Sequence, residues 1–337
     1  MKKIISLSLV AIMVLSMSLF MASCGGNDDA AGGEEETSMT VTMVVADGFG
    51  DKSFYDSSKD GLDRLATDIG ITAKTVECKG ENFEQQMRNA ADVSDVVIPV
   101  GFQFSDIDKV AADYPDKKFI WIDNATETTL DNLLCITYAQ NQGSFLAGYI
   151  AAELSETGII GVVGGDDSAT INDFIVGYEQ GAKYADKDVK VLVNHINDFV
   201  DAAKGKEAAT SQHDKGADVI FQVAGNAGSG VFQAAKEGGF LAIGVDTDQK
   251  WVDPEVIAFS MIKNAGQSIY DVVKDYVENE KWEGNRVWVA DMAGGYIGIG
   301  YGEDGTTQQV NDDIKAKVDE LMKDIADGKI EVKTTRG

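Results

Sequence analysis

Two alternating periodicities constrain this chain more than anything else in it. From Met39 onward, short apolar runs alternate with stretches of helical spacing. The runs are Met39–Ala46, Ile71–Glu77, Val96–Val100, Lys118–Asp123, Leu133–Tyr138, Ile159–Val163, Val189–Asn194, Val219–Val223, Leu241–Val245, Ile257–Met261 and Arg286–Ala290. Several are apolar throughout rather than at every second position, as expected of strands covered on both faces. Helices are predicted between them, among them Phe54–Asp68, Gly143–Ser155, Ile171–Ala185, Val200–Lys215 and Asn264–Asn279, with a last one at Gln308–Asp327. A βαβα order of this kind makes an α/β protein whose parallel sheets are sandwiched by helices.

About 300 residues exceed what one core usually serves, so two lobes are expected. The division falls near residues 138–142, with the late elements returning to both halves. Lobe 1 is expected to take 39–139 and 247–283, and lobe 2 to take 140–246 and 284–337. Repeated crossing makes a hinge, and ligands of such sheets sit beyond the carboxyl ends of the strands.

The first residues carry a separate message. Lys2 and Lys3 precede an apolar run from Ile4 to Phe20, then come Ala22, Ser23 and Cys24. This is a secretory signal, too short in its apolar part for a retained span. A cysteine directly after the small residues resembles a lipoprotein signal, with residues 1–23 removed and Cys24 lipidated. Residues 24–38 are then a flexible acidic tether, because Gly, Ala and acid cannot bury enough surface to offset their ordering entropy. The expected location is the outer face of the cell membrane, reached through the lipid alone.

The formal charge is -27, and removal of Lys2 and Lys3 with the signal leaves -29. A surface so acidic repels phosphate backbones, which argues against a nucleic-acid partner. Cys78 and Cys135 are too few for a disulfide framework, and one bond between them or two buried thiols both remain open. His195 and His213 lack any neighbour at metal-ligand spacing, so no metal, cofactor or catalytic role is expected.

Four loops that leave strands carry the chemistry. Asp47 to Asp56 turns on glycines into a helix that opens with Phe54 and Tyr55, and Asp51 or Ser53 can cap it. Asp123 and Asp246 each stand at the end of an apolar strand, where a carboxylate can accept hydrogen bonds from neighbouring hydroxyls. Lys263 is the cation near these strand ends. The glycine-rich turn around Gly225 lacks a phosphate-loop ending and suits close backbone approach to a neutral ligand.

Together DKSFYDSSKDGL, WIDN, AQNQGSFLAGYIAA, GYEQGAKY, VAGNAGSGVFQAAKE, AIGVDTDQ and FSMIKN resemble the basic membrane protein family of lipoproteins. That family includes purine nucleoside receptors, the solute-binding components of ABC importers. The resemblance implies a two-lobe type I periplasmic-binding-protein fold, monomeric, with a nucleoside between the lobes and a membrane permease as partner. It implies Phe54 stacked on the base, Asp123 on a polar edge of the base and Asp246 on ribose hydroxyls. Gly225 and Lys263 would complete the pocket, with Asp47 as a further candidate. Phe174, placed in the loop after Gly164-Gly165, would supply an opposing aromatic surface. One departure stands out: the family has Asn after the Ser-Phe pair, and this chain has Tyr55. A sugar or other small polar solute in the same fold, and a nucleoside-processing enzyme, are the competing readings.

Overall fold

The computed structural model describes residues 38–334. The signal, Cys24 and the tether up to Thr37 therefore lie outside the described residues. No described helix is long and apolar enough to cross a membrane.

The chain runs β1 (Thr40–Val45), α1 (Phe54–Ile69), β2 (Thr72–Glu77), α2 (Phe83–Ala91), β3 (Val96–Val100), α3 (Ile107–Asp113), β4 (Lys118–Ile122) and β5 (Leu133–Tyr138). It continues through α4 (Gln140–Leu154), β6 (Ile159–Gly164), α5 (Ala169–Ala185), β7 (Lys190–His195), α6 (Ala202–His213), β8 (Val219–Val223), α7 (Ser229–Gly238) and β9 (Leu241–Asp246). The last elements are β10 (Ile257–Lys263), α8 (Ala265–Asn279), β11 (Arg286–Ala290), β12 (Ile297–Gly300) and α9 (Asp312–Ala326).

These strands build two sheets. The first has the order β11-β5-β4-β3-β1-β2, all parallel. The second has the order β12-β10-β9-β8-β6-β7, with β12 antiparallel to β10 and the rest parallel. The central strands β3, β5 and β8 are buried at every residue, as the continuous apolar runs require. The fold class is thus as expected, helices flanking two parallel sheets.

The expected lobe boundaries need correction in the second half. β10 lies in the second sheet, paired with β9 in the register Met261↔Val245. β11 returns to the first sheet beside β5, and β12 goes back to the second. α8 packs on α1. The chain therefore crosses after Tyr138, after Lys263 and after Ala290. Nothing in the composition of a buried strand names its hydrogen-bonding neighbour, which is why 247–263 and 284–290 fell to the wrong lobe. The three crossings are braced together: Ala139 N–H donates to Ala290 O at 3.1 Å, Asn264 N–H to Tyr296 O at 2.8 Å and Met292 N–H to Gln142 Oε1 at 3.0 Å.

Candidate ligand-binding site

The carboxyl ends of both sheets face a shared cavity of about 360 Å³. That is the lower range of small-molecule pockets. Asp47, Phe54, Tyr55, Asp123, Phe174, Gly225, Asp246 and Lys263 all line it, so the eight ligand-site candidates taken from the sequence reach one space.

Part of its lining is a buried ion cluster. Asp123 follows β4 and Asp246 ends β9, one in each lobe, both with left-handed backbones at φ 71° and 67°. Asp adopts this conformation more readily than most residues. Lys263, the last residue of β10, places its ammonium 3.1 Å from Asp123 Oδ2 and 3.7 Å from Asp246 Oδ1. All three side chains are buried, so the cation offsets like charges that could not otherwise share this volume. Burial raises the Asp246 carboxyl above its usual value, and Lys263 and a hydrogen bond from Ser53 oppose the rise. The ammonium also lies over three ring faces, 4.5 Å from the Phe54 centroid, 5.1 Å from Phe174 and 5.4 Å from Tyr138.

Ser53 occupies the N-cap of α1 but makes no side-chain cap bond. Its hydroxyl reaches the other lobe instead, donating to Asp246 Oδ2 at 2.5 Å. Asp51 takes over the capping: Oδ1 accepts from Ser53 N–H and Asp56 N–H, and Oδ2 from Tyr55 N–H. Burial nonetheless pushes the Asp51 carboxyl up to about 6. Of the two capping candidates, Asp51 does the work and frees Ser53 for the cleft.

The second polar end holds Asp47 and Tyr55. The Tyr55 hydroxyl donates to Asp47 Oδ2 at 3.4 Å, and burial raises the Asp47 carboxyl. Phe174 sits in the second turn of α5, not in the preceding loop: the helix begins at Ala169 behind a Ser168 cap. Gly225 has φ 53°, and a Cβ there would lie 3.3 Å from Phe199 O, so glycine suits both the backbone and the contact.

Sequence reasoning missed Phe102, Gln103 and Phe199. The rings of Phe102 and Phe199 meet edge-on across the lobes at 6.0 Å. Phe102 and Gln103 come directly after β3, so the strand-end rule that found Asp123 would have found them too. Phe199 comes from the loop after β7 and packs over Gly165, where any Cβ would meet its ring at 2.1 Å. Cys78 and Cys135 are free and buried. Among the described residues no three His, Cys, Asp or Glu gather as a metal site needs.

Residues 38–336 match the family described as ABC transporter substrate-binding protein PnrA-like. The chain belongs to this family. Basic membrane protein A of Borreliella burgdorferi is 32% identical over 296 residues, covering 86% of each chain. The solved structure of an ABC transporter solute-binding protein from Aeropyrum pernix K1 superposes with a TM-score of 0.80 at 26% identity, covering 89% of this chain and 94% of that one. A transcriptional activator of the comK gene from Bacillus halodurans, with a TM-score of 0.73 at 20% identity, covers 86% of this chain and 99% of that one and shares the fold. The architecture is the type I periplasmic-binding-protein fold. As a member of an ABC transporter substrate-binding family, the chain is of a class that binds small molecules outside the cytoplasm and works with a permease. That class is not enzymatic.

Proposed function

We propose that the protein is a lipoprotein, anchored through Cys24, that captures a nucleoside between its lobes, a purine nucleoside by preference, and delivers it to an ABC permease. The observation that carries this reading is a set of three buried acceptors lining the aromatic-walled cavity. Asp123 Oδ1 and Gln103 Oε1 accept no hydrogen bond among the described residues, and Asp246 Oδ1 has only the Lys263 ammonium at 3.7 Å. A buried acceptor left unpaired costs about 1–3 kcal/mol, so the cavity favours a ligand that brings several donors. A ribose diol and an N–H-bearing base supply them, and Phe54 and Phe174 offer flat apolar surface for a ring. The acids Asp47, Asp51, Glu77, Asp123 and Asp246 outnumber Lys79 and Lys263 around the space, which disfavours a phosphate or carboxylate on the ligand.

The aromatic and carboxylate walls also suit a sugar, which is the second reading. Mass spectrometry of small molecules released from the purified protein by denaturation separates the two. A nucleoside is expected; a free sugar in stoichiometric amount would sink the nucleoside reading and keep the fold.

A further inference from the structure

We propose that Gln222 and Gln249 are positioning residues that couple the ligand-facing turn at Gly225 to the closing of the two lobes. This deepens the reading above, capture of a nucleoside between the lobes, and rests on it for the choice of probe.

Neither glutamine lines the cavity, and both are buried in lobe 2, Gln222 on β8 and Gln249 just after β9. Their amides form a head-to-tail chain whose backbone ends fix its direction. Ala224 N–H, which can only donate, bonds Gln222 Oε1 at 3.3 Å. Gln222 Nε2 in turn donates to Gln249 Oε1 at 2.8 Å, and Val245 N–H donates to the same oxygen at 2.9 Å. Gln249 Nε2 then donates across the cleft to the Lys52 carbonyl of lobe 1 at 3.0 Å. The bonds run in one sense, so each polarises the next and the cross-lobe bond is strengthened by those behind it.

The surroundings are shaped to this chain. A Cβ on Gly228 would lie 1.8 Å from Gln222 Oε1, and one on Gly244 would lie 2.9 Å from Gln249 Oε1. The Gln249 N–H is itself held by the buried Ser260 hydroxyl at 2.9 Å. In the other lobe Lys52 has φ 54°, a backbone that a lysine keeps only where its surroundings impose it. Ala224 directly precedes Gly225, which lines the cavity. Ligand contact at that turn and lobe closure at Lys52 are thus the two ends of one hydrogen-bond chain. A chain that only stiffened lobe 2 would need no link to Lys52.

Gln249→Glu keeps an acceptor for Val245 and Gln222 but sets a second oxygen against the Lys52 carbonyl, so it breaks the cross-lobe link alone. Gln222→Met removes the middle link and leaves Gln249 and Lys52 in place. Stopped-flow kinetics of the full chain in detergent, with inosine, guanosine and adenosine in alkaline buffer that ionises the new carboxyl, read the effect. Dissociation should quicken by about tenfold or more in Gln249→Glu and about threefold in Gln222→Met, with association little changed. Spin labels on Val93→Cys and Lys187→Cys, exposed positions on opposite lobes, should report a wider mean distance once Gln249→Glu is added, with or without nucleoside. Thermal unfolding of both variants should stay cooperative. Unchanged dissociation rates, or label distances that match, would overturn the coupling. Should none of the three nucleosides bind while the label distance still widens, the nucleoside reading falls and the coupling stands.

Discussion

At the scale of single residues, the site concentrates charge in a dry space and neutralises it incompletely. Lys263 is the shared counter-ion of Asp123 and Asp246, so Lys263→Met would leave two buried carboxylates facing each other. Removing one partner of a buried ion cluster costs about 3–5 kcal/mol, and urea unfolding at neutral pH should record a loss of that order. A loss under 1 kcal/mol would mean that the carboxylates are hydrated or protonated in the folded chain. Asp51 makes a second residue-scale prediction. Its carboxyl stands at about 6 against an ordinary 3.8, so the folded chain holds that proton more tightly than the unfolded one. The sign follows: this stabilisation is complete below pH 3.8 and is lost as pH rises towards 6, by roughly 3 kcal/mol in all. Asp51→Asn should show a smaller fall in unfolding free energy between pH 4 and pH 7 than the wild type does; identical slopes would remove Asp51 from the account. Position in sequence made Asp123, Asp246 and Lys263 legible, because strand ends are where such folds hold ligands. Two things were not legible. One was the left-handed backbone at both aspartates, and the other the diversion of Ser53 from capping α1 to bonding Asp246. The second depends on which lobe lies opposite, and local sequence carries no record of that.

At the scale of elements, helices that seem ordinary in sequence are held together by glycine. α1 and α8 approach so closely that a Cβ on Gly61 would lie 2.1 Å from Gly266 O, and one on Gly266 2.1 Å from Ser57 O. α4 and α5 do the same, with Gly148 against Tyr178 O at 1.9 Å and Gly181 against Phe145 O at 1.7 Å. None of these four glycines lines the cavity. Gly181→Ala should therefore lower the unfolding free energy by about 1–3 kcal/mol, the usual cost of overpacking, and leave ligand affinity per folded molecule unchanged. An unchanged stability would show that the helices slide apart freely. Element type was largely readable, since continuous apolar runs and helical spacing rarely mislead over such lengths. β12 was missed because Ile297-Gly298-Ile299-Gly300 has the glycine content of a turn, and only pairing with β10 makes it a strand. The lobe membership of β10 and β11 failed for the same reason: pairing is a long-range choice.

At the scale of the whole molecule, the lobes are joined by three crossings at the hinge and by a second set of contacts across the mouth. The Lys52 carbonyl accepts from Thr247 Oγ1 at 2.9 Å and from Gln249 Nε2 at 3.0 Å, and its ammonium lies 5.3 Å from the exposed Trp251 ring. These groups come from opposite lobes and meet with the cleft shut, so ligand binding should change Trp251 fluorescence. Trp251→Phe should abolish most of that change without abolishing binding; a ligand-induced signal that survives it intact would mean that another tryptophan reports closure. The charge of -27 and the acidic cavity lining give a further expectation: a nucleoside monophosphate should bind at least about tenfold more weakly than its nucleoside. The central claim, nucleoside capture by carboxylates at the strand ends, is tested most directly by calorimetric titration of the full chain with inosine, guanosine, adenosine and the pyrimidine nucleosides, beside the Asp123→Asn, Asp246→Asn double variant. The expected result is one-to-one binding of at least one nucleoside by the wild type and a loss of about a hundredfold or more in the variant. No heat with any nucleoside, or a variant that binds as tightly as the wild type, would contradict it.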